Sequence, residues 1–417
     1  MKGIVLTHPT GNEFFRAAAK GFYEAGQLQS LYTSLASFPN TFLYGLGGLP
    51  MLSDIRRRAI SRELKQYTHT YPWRETGRLI AIKAGRQKLT AHEKGVFSID
   101  SVYRSLDCYV AGRLQQEKAK GAGAIYAYED GAAFSFKKGK EFQLECVYDL
   151  PIGYWRSMHN MLLEEAGKTP DWAATLGGLN DSTEKLKRKD DEISLADKII
   201  VASSFTASTL KEYPGKLPPV HVVPYGFPIA EPKEYGVLKK GQPLKILFVG
   251  GLSQRKGLSY LFDAVNKLGN YVSLTVVGRG TESVNNCKPL QENLNQHRWI
   301  ETIPHDEVLA LMREHDVLVF PSLFEGFGLV ITEAMSQGTP VITTERTAGS
   351  DLINHGENGW LVNAGCADAI SHILEQILSR PQSIAEVGTA AVGTAGKRPW
   401  SVYGRELAGV VGKSESQ

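Results

Sequence analysis

Apolar and polar positions along this chain repeat one theme: a short apolar run, a turn, then a helical pattern. GIVLT within Lys2–Thr7 reads as a buried strand, and the loop His8-Pro9-Thr10-Gly11-Asn12 follows it. A helix then runs from Glu13 to Glu24, with Asn12 suited to cap it and Glu13 to its first turn. The pattern weakens from Pro39 to Thr90, where only GLGGL (Gly45–Leu49) and a basic stretch stand out. It returns as a helix over Ser101–Lys118, the strand GAIYAYE, a short helix through Phe134–Lys138 and the strand FQLECVYDL. Helical segments follow over Tyr154–Glu165 and the charged Asp181–Leu195, the latter read as a solvated face. Ala196–Ala202 is a strand, Ser203 or Ser204 is placed to cap the next helix, and HVVPYGFP closes this half. Apolar strands spaced by helices imply a parallel sheet with right-handed crossovers, so this half is doubly wound.

Ile229–Pro243, rich in Pro, Gly, Lys and Glu, reads as a linker, after which the theme restarts. LKILFVGGLSQRKG is a strand and a glycine-containing loop, Leu258–Leu268 a helix, and SLTVVGRG a strand with a glycine turn. Ile300–Thr302 is a short strand and Glu307–Glu314 a helix. HDVLVFPS is an apolar strand ended by Pro321, and Gly326-Phe327-Gly328 opens into a helix over Leu329–Ser336. GENGWLV and the helix Ala367–Leu378 complete a second doubly wound sheet, and KRPWSVYGRELAGVV is helical from Trp400. The expected division is a domain over 1–228, a linker over 229–243, a domain over 244–397 and a terminal helix over 398–417.

Composition supports two cores, since 417 residues exceed one typical domain. At 42% hydrophobic and 22% charged residues the chain is of the ordinary soluble globular class. A net charge of +3 argues against a protein built as a whole to bind nucleic acid. Cys108, Cys146, Cys287 and Cys366 lie far apart, which reads as reduced thiols. GIVLT is too short for the core of a signal peptide and no apolar run reaches the length of a membrane span, so the expected location is cytoplasmic.

The candidate chemistry concentrates in Pro321–Val341, PSLFEGFGLVITEAMSQGTPV. Glu325 and Glu333 flank a turn between a strand and a helix, where open parallel sheets bind ligands. The first N–H groups and positive dipole end of such a helix hold a phosphate, and glycines admit it to the backbone. Glu333 would accept from a diol and Glu325 from a second hydroxyl-rich group. The series Glu325, Gly326, Phe327, Gly328, then Glu333, Ala334, Met335, then Gly338, Pro340, Val341 resembles the donor-site signature of retaining glycosyltransferases of family 4. The resemblance covers the C-terminal half and implies the GT-B fold, α/β, with two doubly wound Rossmann-like domains facing a cleft. The last helix then either crosses back to brace the N-terminal domain, as the resemblance implies, or docks within its own domain.

That resemblance implies a hexosyltransferase-type enzyme that moves a sugar, with retention, from a nucleotide diphosphate donor to the hydroxyl of a glycan or lipid-linked saccharide. It assigns Glu325 to the donor sugar, the backbone of Gly326, Phe327, Gly328, Leu329 and Val330 to sugar and pyrophosphate, Glu333 to the ribose, and Lys256 to the donor phosphates. Gly251 stands where family members often carry an arginine, and Arg255 is the candidate substitute. Gly11 in the first loop, Gly278 on the cleft wall and His305 beside the base complete the expected donor contacts. Family members place a histidine at a first-domain strand end; here Glu129, Asp130 and Asp149 stand at such ends, with His8 nearby. Asp149 joins Glu325 and Lys256 as an expected catalytic residue. No Asp-any-Asp pair occurs, so neither a metal nor a cofactor beyond the nucleotide sugar is expected. Other readings are a sugar-nucleotide epimerase of the same fold, or a non-catalytic scaffold that binds nucleotide sugars.

Ser53–Lys88 carries ten Lys and Arg against three acids, a surplus of seven. One reading is an interfacial helix, with Ile55, Ala59 and Ile60 as its apolar face, that touches an anionic membrane through Arg56, Arg57 and Arg58. The other is a solvated basic face around an acceptor groove. Nucleic acid is not expected, because Tyr67, Tyr71 and Trp73 cluster instead of alternating with the charges.

Overall fold

The strands gather into two sheets whose pairings are all parallel. The first contains β1 (Gly3–Thr7), β2 (Leu28–Thr33), β3 (Thr68–Thr70), β4 (Ala122–Tyr128), β5 (Glu145–Leu150), β6 (Lys198–Val201) and β7 (Val220–Val222), in the order β3-β2-β1-β4-β5-β6-β7. The second contains β8 (Leu244–Val249), β9 (Val272–Val277), β10 (Arg298–Ile300), β11 (Val317–Phe320), β12 (Val341–Thr344) and β13 (Trp360–Val362), in the order β10-β9-β8-β11-β12-β13. In each sheet the winding reverses beside the first strand, between β1 and β4 and between β8 and β11. Two ligand crevices therefore open beyond the C-terminal ends of those strand pairs. This computed structural model describes residues 2–41, 44, 45, 47, 48, 53–231, 233–236, 241–280 and 286–413. Leu46 and Leu49 of the glycine-rich stretch, Pro232 and 237–240 of the expected linker, and 414–417 of the tail lie outside them.

The terminal helix Trp400–Gly412 crosses back to the first domain. It lies on the helix Glu13–Glu24 so closely that a Cβ on Gly21 would stand 2.2 Å from the Gly404 carbonyl oxygen. Tyr403, Leu407 and Val411, spaced one turn apart, are buried in the same cluster as Phe15 and Phe22. Lys198 Nζ donates to the carbonyls of Val410 (3.1 Å) and Lys413 (3.3 Å), a cation at the negative end of the helix. The domains also meet elsewhere. Trp172, in the short turn Pro170–Thr175, packs into the second domain's core against Phe262, with ring centroids 6.0 Å apart. Glu165 accepts from Gln254 Nε2 at 2.8 Å and from the Tyr260 hydroxyl at 2.9 Å.

Several elements depart from the pattern reading. Ser101–Lys118 is two helices, Ile99–Ala111 and Leu114–Ala119, and the strand expected at Ile300–Thr302 is β10, two residues earlier. The sequence reading does not resolve β2, β3, the helix Trp73–Lys83 or the helix Ser383–Lys397. Polar residues disguise β2: Ser30 and Tyr32 are buried because their hydroxyls donate to the Glu117 carboxylate at 2.6 and 3.0 Å.

The solvated face expected for the charged segment is overturned. In the helix Thr183–Leu195, Lys185, Lys189 and Glu192 are buried. Glu192 accepts from the N–H groups of Asp130, Ala132 and Ala133, while Lys185 and Lys189 meet Asp181 at 2.9 and 3.5 Å. The interfacial helix expected near Arg56 is corrected as well. That helix spans only Ser53–Arg57, Ile60 is in the core, and the Arg58 guanidinium is bonded to the fully buried Glu75, so Arg58 does not face a bilayer.

Candidate active site

Two interlocking loops fill the reversal between β8 and β11. Gly257 takes the left-handed region (φ +73°), and a Cβ there would lie 2.0 Å from the Pro321 carbonyl oxygen. Only glycine allows the loop after β8 to press on the exit of β11. The Arg255 carbonyl accepts from Leu323 N–H at 2.8 Å and Ser322 Oγ at 3.1 Å, locking the two loops together. Gly328 is also left-handed (φ +87°) and starts the helix Leu329–Ser336 with no side chain capping its first N–H groups. Those donors and the helix dipole make an anion-binding end.

Glu325 sits in this crevice with its side chain only 15% exposed. Lys256 Nζ bonds its carboxylate, and Arg255 Nη1 stands 3.7 Å away while donating to the Phe324 carbonyl at 2.8 Å. Burial pushes the Glu325 carboxyl upward, but Lys256 and then Arg255 outweigh it and hold it below the usual range, so it is ionised. Burial lowers Lys256 against the opposing pull of Glu325. The ammonium also lies 5.0 Å from the centre of the Phe320 ring. Gly251 is exposed, with nothing within 4 Å of a Cβ there, so packing does not demand glycine at that position.

Glu333, one turn along the helix, pairs with His305 Nε2 at 3.0 Å. That hydrogen bond raises the His305 pKa against burial. The structure thus gathers Lys256, Arg255 and Glu325 at the helix entrance and His305 with Glu333 at its side. Gly278 serves packing: its Cβ would fall 1.8 Å from the Gly250 carbonyl oxygen, where the loops after β8 and β9 touch.

The turn is also wedged against the first domain. A Cβ on Gly326 would lie 1.9 Å from the Pro151 carbonyl oxygen, and the Gly326 carbonyl accepts from Ser203 Oγ (2.6 Å) and Thr206 Oγ1 (2.8 Å). Ser203 is the expected cap, accepting from Thr206 N–H at 3.1 Å, and it grips the turn as well. The Phe327 ring leaves its own domain and packs 4.9 Å from Tyr225, with Leu329 beside that cluster and Val330 in the second core.

Across the cleft, the reversal between β1 and β4 holds a cavity of about 190 Å³ lined by His8, Tyr103, Glu129, Asp130, Pro151 and Lys185, among others. Glu129 is buried with Lys189 Nζ 3.3 Å away; burial raises its pKa and Lys189 opposes the shift. Burial, then Arg58, push His8 down to about 3, so its ring is neutral, and Nδ1 accepts from the N–H groups of Thr10 and Gly11, each at 3.2 Å. The Gly11 N–H, at φ +66°, is therefore engaged within the first loop.

Asp149 is corrected. On β5 it shares the face of Val147, which the helices 13–24 and 400–412 cover. It is 2% exposed, bonded by the Tyr126 hydroxyl, and pushed up to about 7 by burial. It lies in the core and lines no part of the 190 Å³ cavity. Sequence reasoning missed Pro151, Thr206 and the buried Lys185–Lys189 pair. The last left a signal, because 185, 188, 189 and 192 share one helical face. Among the described residues, three ligand-type side chains within metal-binding distance of one another occur at His92, Glu93 and Asp181, none of which lines this cavity.

Comparison with known proteins bears on the same half of the chain. Residues 232–392 match the family model described as glycosyl transferases group 1. Phosphatidyl-myo-inositol mannosyltransferase of Mycobacterium leprae is 34% identical over 169 residues, 39% of this chain and 44% of that protein. D-rhamnosyltransferase WbpZ of Pseudomonas aeruginosa is 30% identical over 218 residues, 47% of this chain and 53% of that one. The matches thus span about half the length of these curated relatives, or less. Over the whole chain, the crystal structure of Anabaena Alr3699/HepE in complex with UDP and glucose superposes with a TM-score of 0.64 at 17% identity, covering 99% of this chain and 100% of that one.

The fold is GT-B. Sucrose-phosphate synthase from Thermosynechococcus elongatus shares it, with a TM-score of 0.59 and 18% identity over 99% of this chain and 98% of that one. In this GT-B chain no helix among the described residues is long and apolar enough to cross a membrane.

Proposed function

We propose that this protein transfers a hexosyl group, with retention, from a nucleotide diphosphate sugar to a hydroxyl of a glycan or lipid-linked saccharide. The observation that carries the proposal is the Lys256–Glu325 pair set at the open end of the Gly328-started helix, in the ligand crevice of the second sheet. A departing diphosphate needs fixed positive charge. Lys256, Arg255 and the helix N-terminus supply it, so the reaction runs without a metal. Recruiting Lys256 to the diphosphate releases the Glu325 carboxylate to accept from a sugar hydroxyl. Glu333 takes the ribose diol, with His305 beside the base. The acceptor enters the cavity between β1 and β4, where Glu129 and Asp130 orient its hydroxyl. Pro151, which lines that cavity, presses its carbonyl on Gly326, so the cavity opens beside the donor turn.

The named activities of the relatives and the UDP and glucose bound to HepE support this reading. Four free cysteines support a reducing, cytoplasmic setting. The test is nucleoside diphosphate release from a panel of nucleotide sugars, with and without saccharide acceptors, in buffer containing a chelator. Release from one donor class, accelerated by an acceptor and indifferent to chelation, is expected. Donor binding with neither transfer nor hydrolysis would make the protein a scaffold, and activity restored only by magnesium or manganese would overturn the metal-free step.

A further inference from the structure

Half of the exposed large hydrophobic side chains among the described residues fall in one stretch, 73–99: Trp73 (73% exposed), Ile80 (63%), Ile82 (52%), Val96 (46%), Leu89 and Ile99. The helix Trp73–Lys83 explains the clustering. Its inward face is spent, since Gly77 admits the Phe97 ring, Ala81 is buried, Arg74 donates to the Val96 carbonyl at 2.9 Å, and Arg78 forks onto Glu75 at 2.7 and 2.8 Å. Trp73, Thr76, Ile80 and Lys83, at i, i+3, i+7 and i+10, form the opposite face and point to solvent. The chain then turns at Gly85 and presents exposed Arg86, Lys88 and Leu89 beside it.

Residues 73–99 hold six Lys and Arg against two acids, a surplus of four. Both acids are engaged: Glu75 is fully buried between Arg58 and Arg78, and Glu93 accepts from Ser182 N–H at 2.9 Å. The outer face is thus apolar and cationic, with a tryptophan at its start. Apolar side chains that enter the acyl boundary under a rim of cations match a bilayer bearing negative headgroups. An apolar protein partner would not need the cations, and a soluble polyanion would not need Trp73 and Ile80. Ile99, at the end of this stretch, also lines the 190 Å³ cavity across from the donor turn.

We infer that this face, and not the segment around Arg56, docks the protein on an anionic membrane surface, with the first-domain cavity beside the headgroups. The docking is independent of any activity, so it stands or falls separately from the proposed transfer reaction. Co-sedimentation of the full chain with phosphatidylcholine vesicles, and with vesicles containing about one-third phosphatidylglycerol, tests it. The expected result is binding to the anionic vesicles alone, weakened by salt. Arg86→Gln with Lys88→Gln should weaken it on the order of thirtyfold, at the usual increment per surface cation. Trp73→Ser with Ile80→Ser should reduce it at least as much, whereas Arg56→Gln should leave it unchanged. These side chains are exposed, so the thermal midpoint should not move. Binding that ignores lipid charge, or that survives the Trp73 and Ile80 changes, overturns the inference. So does concentration-dependent dimerisation abolished by those same changes, which would assign the face to a second copy of this chain.

Discussion

Lys256 and Glu325 neutralise each other in a nearly closed crevice, which makes each the cause of the other's charge state. Removing one leaves the other buried without its counter-charge, and the cost of that exceeds the cost of removing both. Lys256→Met should therefore lower the thermal midpoint more than Lys256→Met combined with Glu325→Gln; equal or additive losses would show the pair to be weakly coupled. Asp149 calls for a different experiment. Its folded pKa, about 7, stands above the ordinary carboxyl value of 3.8, so the folded chain holds this proton more tightly than the unfolded chain. The native contribution is whole below about pH 4, declines as pH rises toward 7, and is constant above that. Asp149→Asn removes this decline. Its unfolding free energy relative to wild type should thus be higher at pH 8 than at pH 5, by up to a few kcal/mol at roughly 1.4 kcal/mol per pKa unit. An offset that does not change with pH would contradict the buried, proton-binding assignment.

Contact between elements here depends on missing side chains. Gly326 meets Pro151 and Gly21 meets Gly404 where a Cβ would approach backbone oxygen within 1.9 and 2.2 Å. Gly21→Ala should part the terminal helix from the helix 13–24 and cost on the order of 1–3 kcal/mol, read as a fall in the denaturation midpoint. Gly326→Ala should instead push the donor turn off the first domain and lower turnover more than stability. Such approaches leave little trace in a sequence. The strand-turn-helix at Val317–Ser336 was legible because apolar runs, glycines and a capless helix start occur together within one short span. The last helix was legible in extent, whereas its partner was known only by resemblance. β2 and the burial of the helix 183–195 were not legible, because their polar residues are buried by partners far along the chain, such as Glu117 and Glu129. Asp149 misled for the same reason. A strand-end acid reads as cleft-facing until the parity of β5 places it under two helices.

At the scale of the molecule, the two sheets bring their reversal points to opposite walls of one cleft, with the donor turn clamped by Ser203 and Thr206 from the first domain. The terminal helix and the Trp172 turn each tie one domain to the other. Closure and donor binding should therefore be linked, and a ligand held by both walls should raise the cooperative unfolding temperature of the whole chain. At a hundred times its dissociation constant such a ligand adds about 2.7 kcal/mol. The central claim is that the crevice between β8 and β11 recognises a nucleoside diphosphate through Lys256 and Glu333. It is tested most directly by calorimetric titration of wild type, Lys256→Ala and Glu333→Ala with a nucleoside and with its diphosphate. The account predicts that Lys256→Ala loses the diphosphate and keeps the nucleoside, while Glu333→Ala weakens both about tenfold to a hundredfold. Diphosphate affinity unchanged in a folded Lys256→Ala protein, or no diphosphate binding in the wild type, would contradict it.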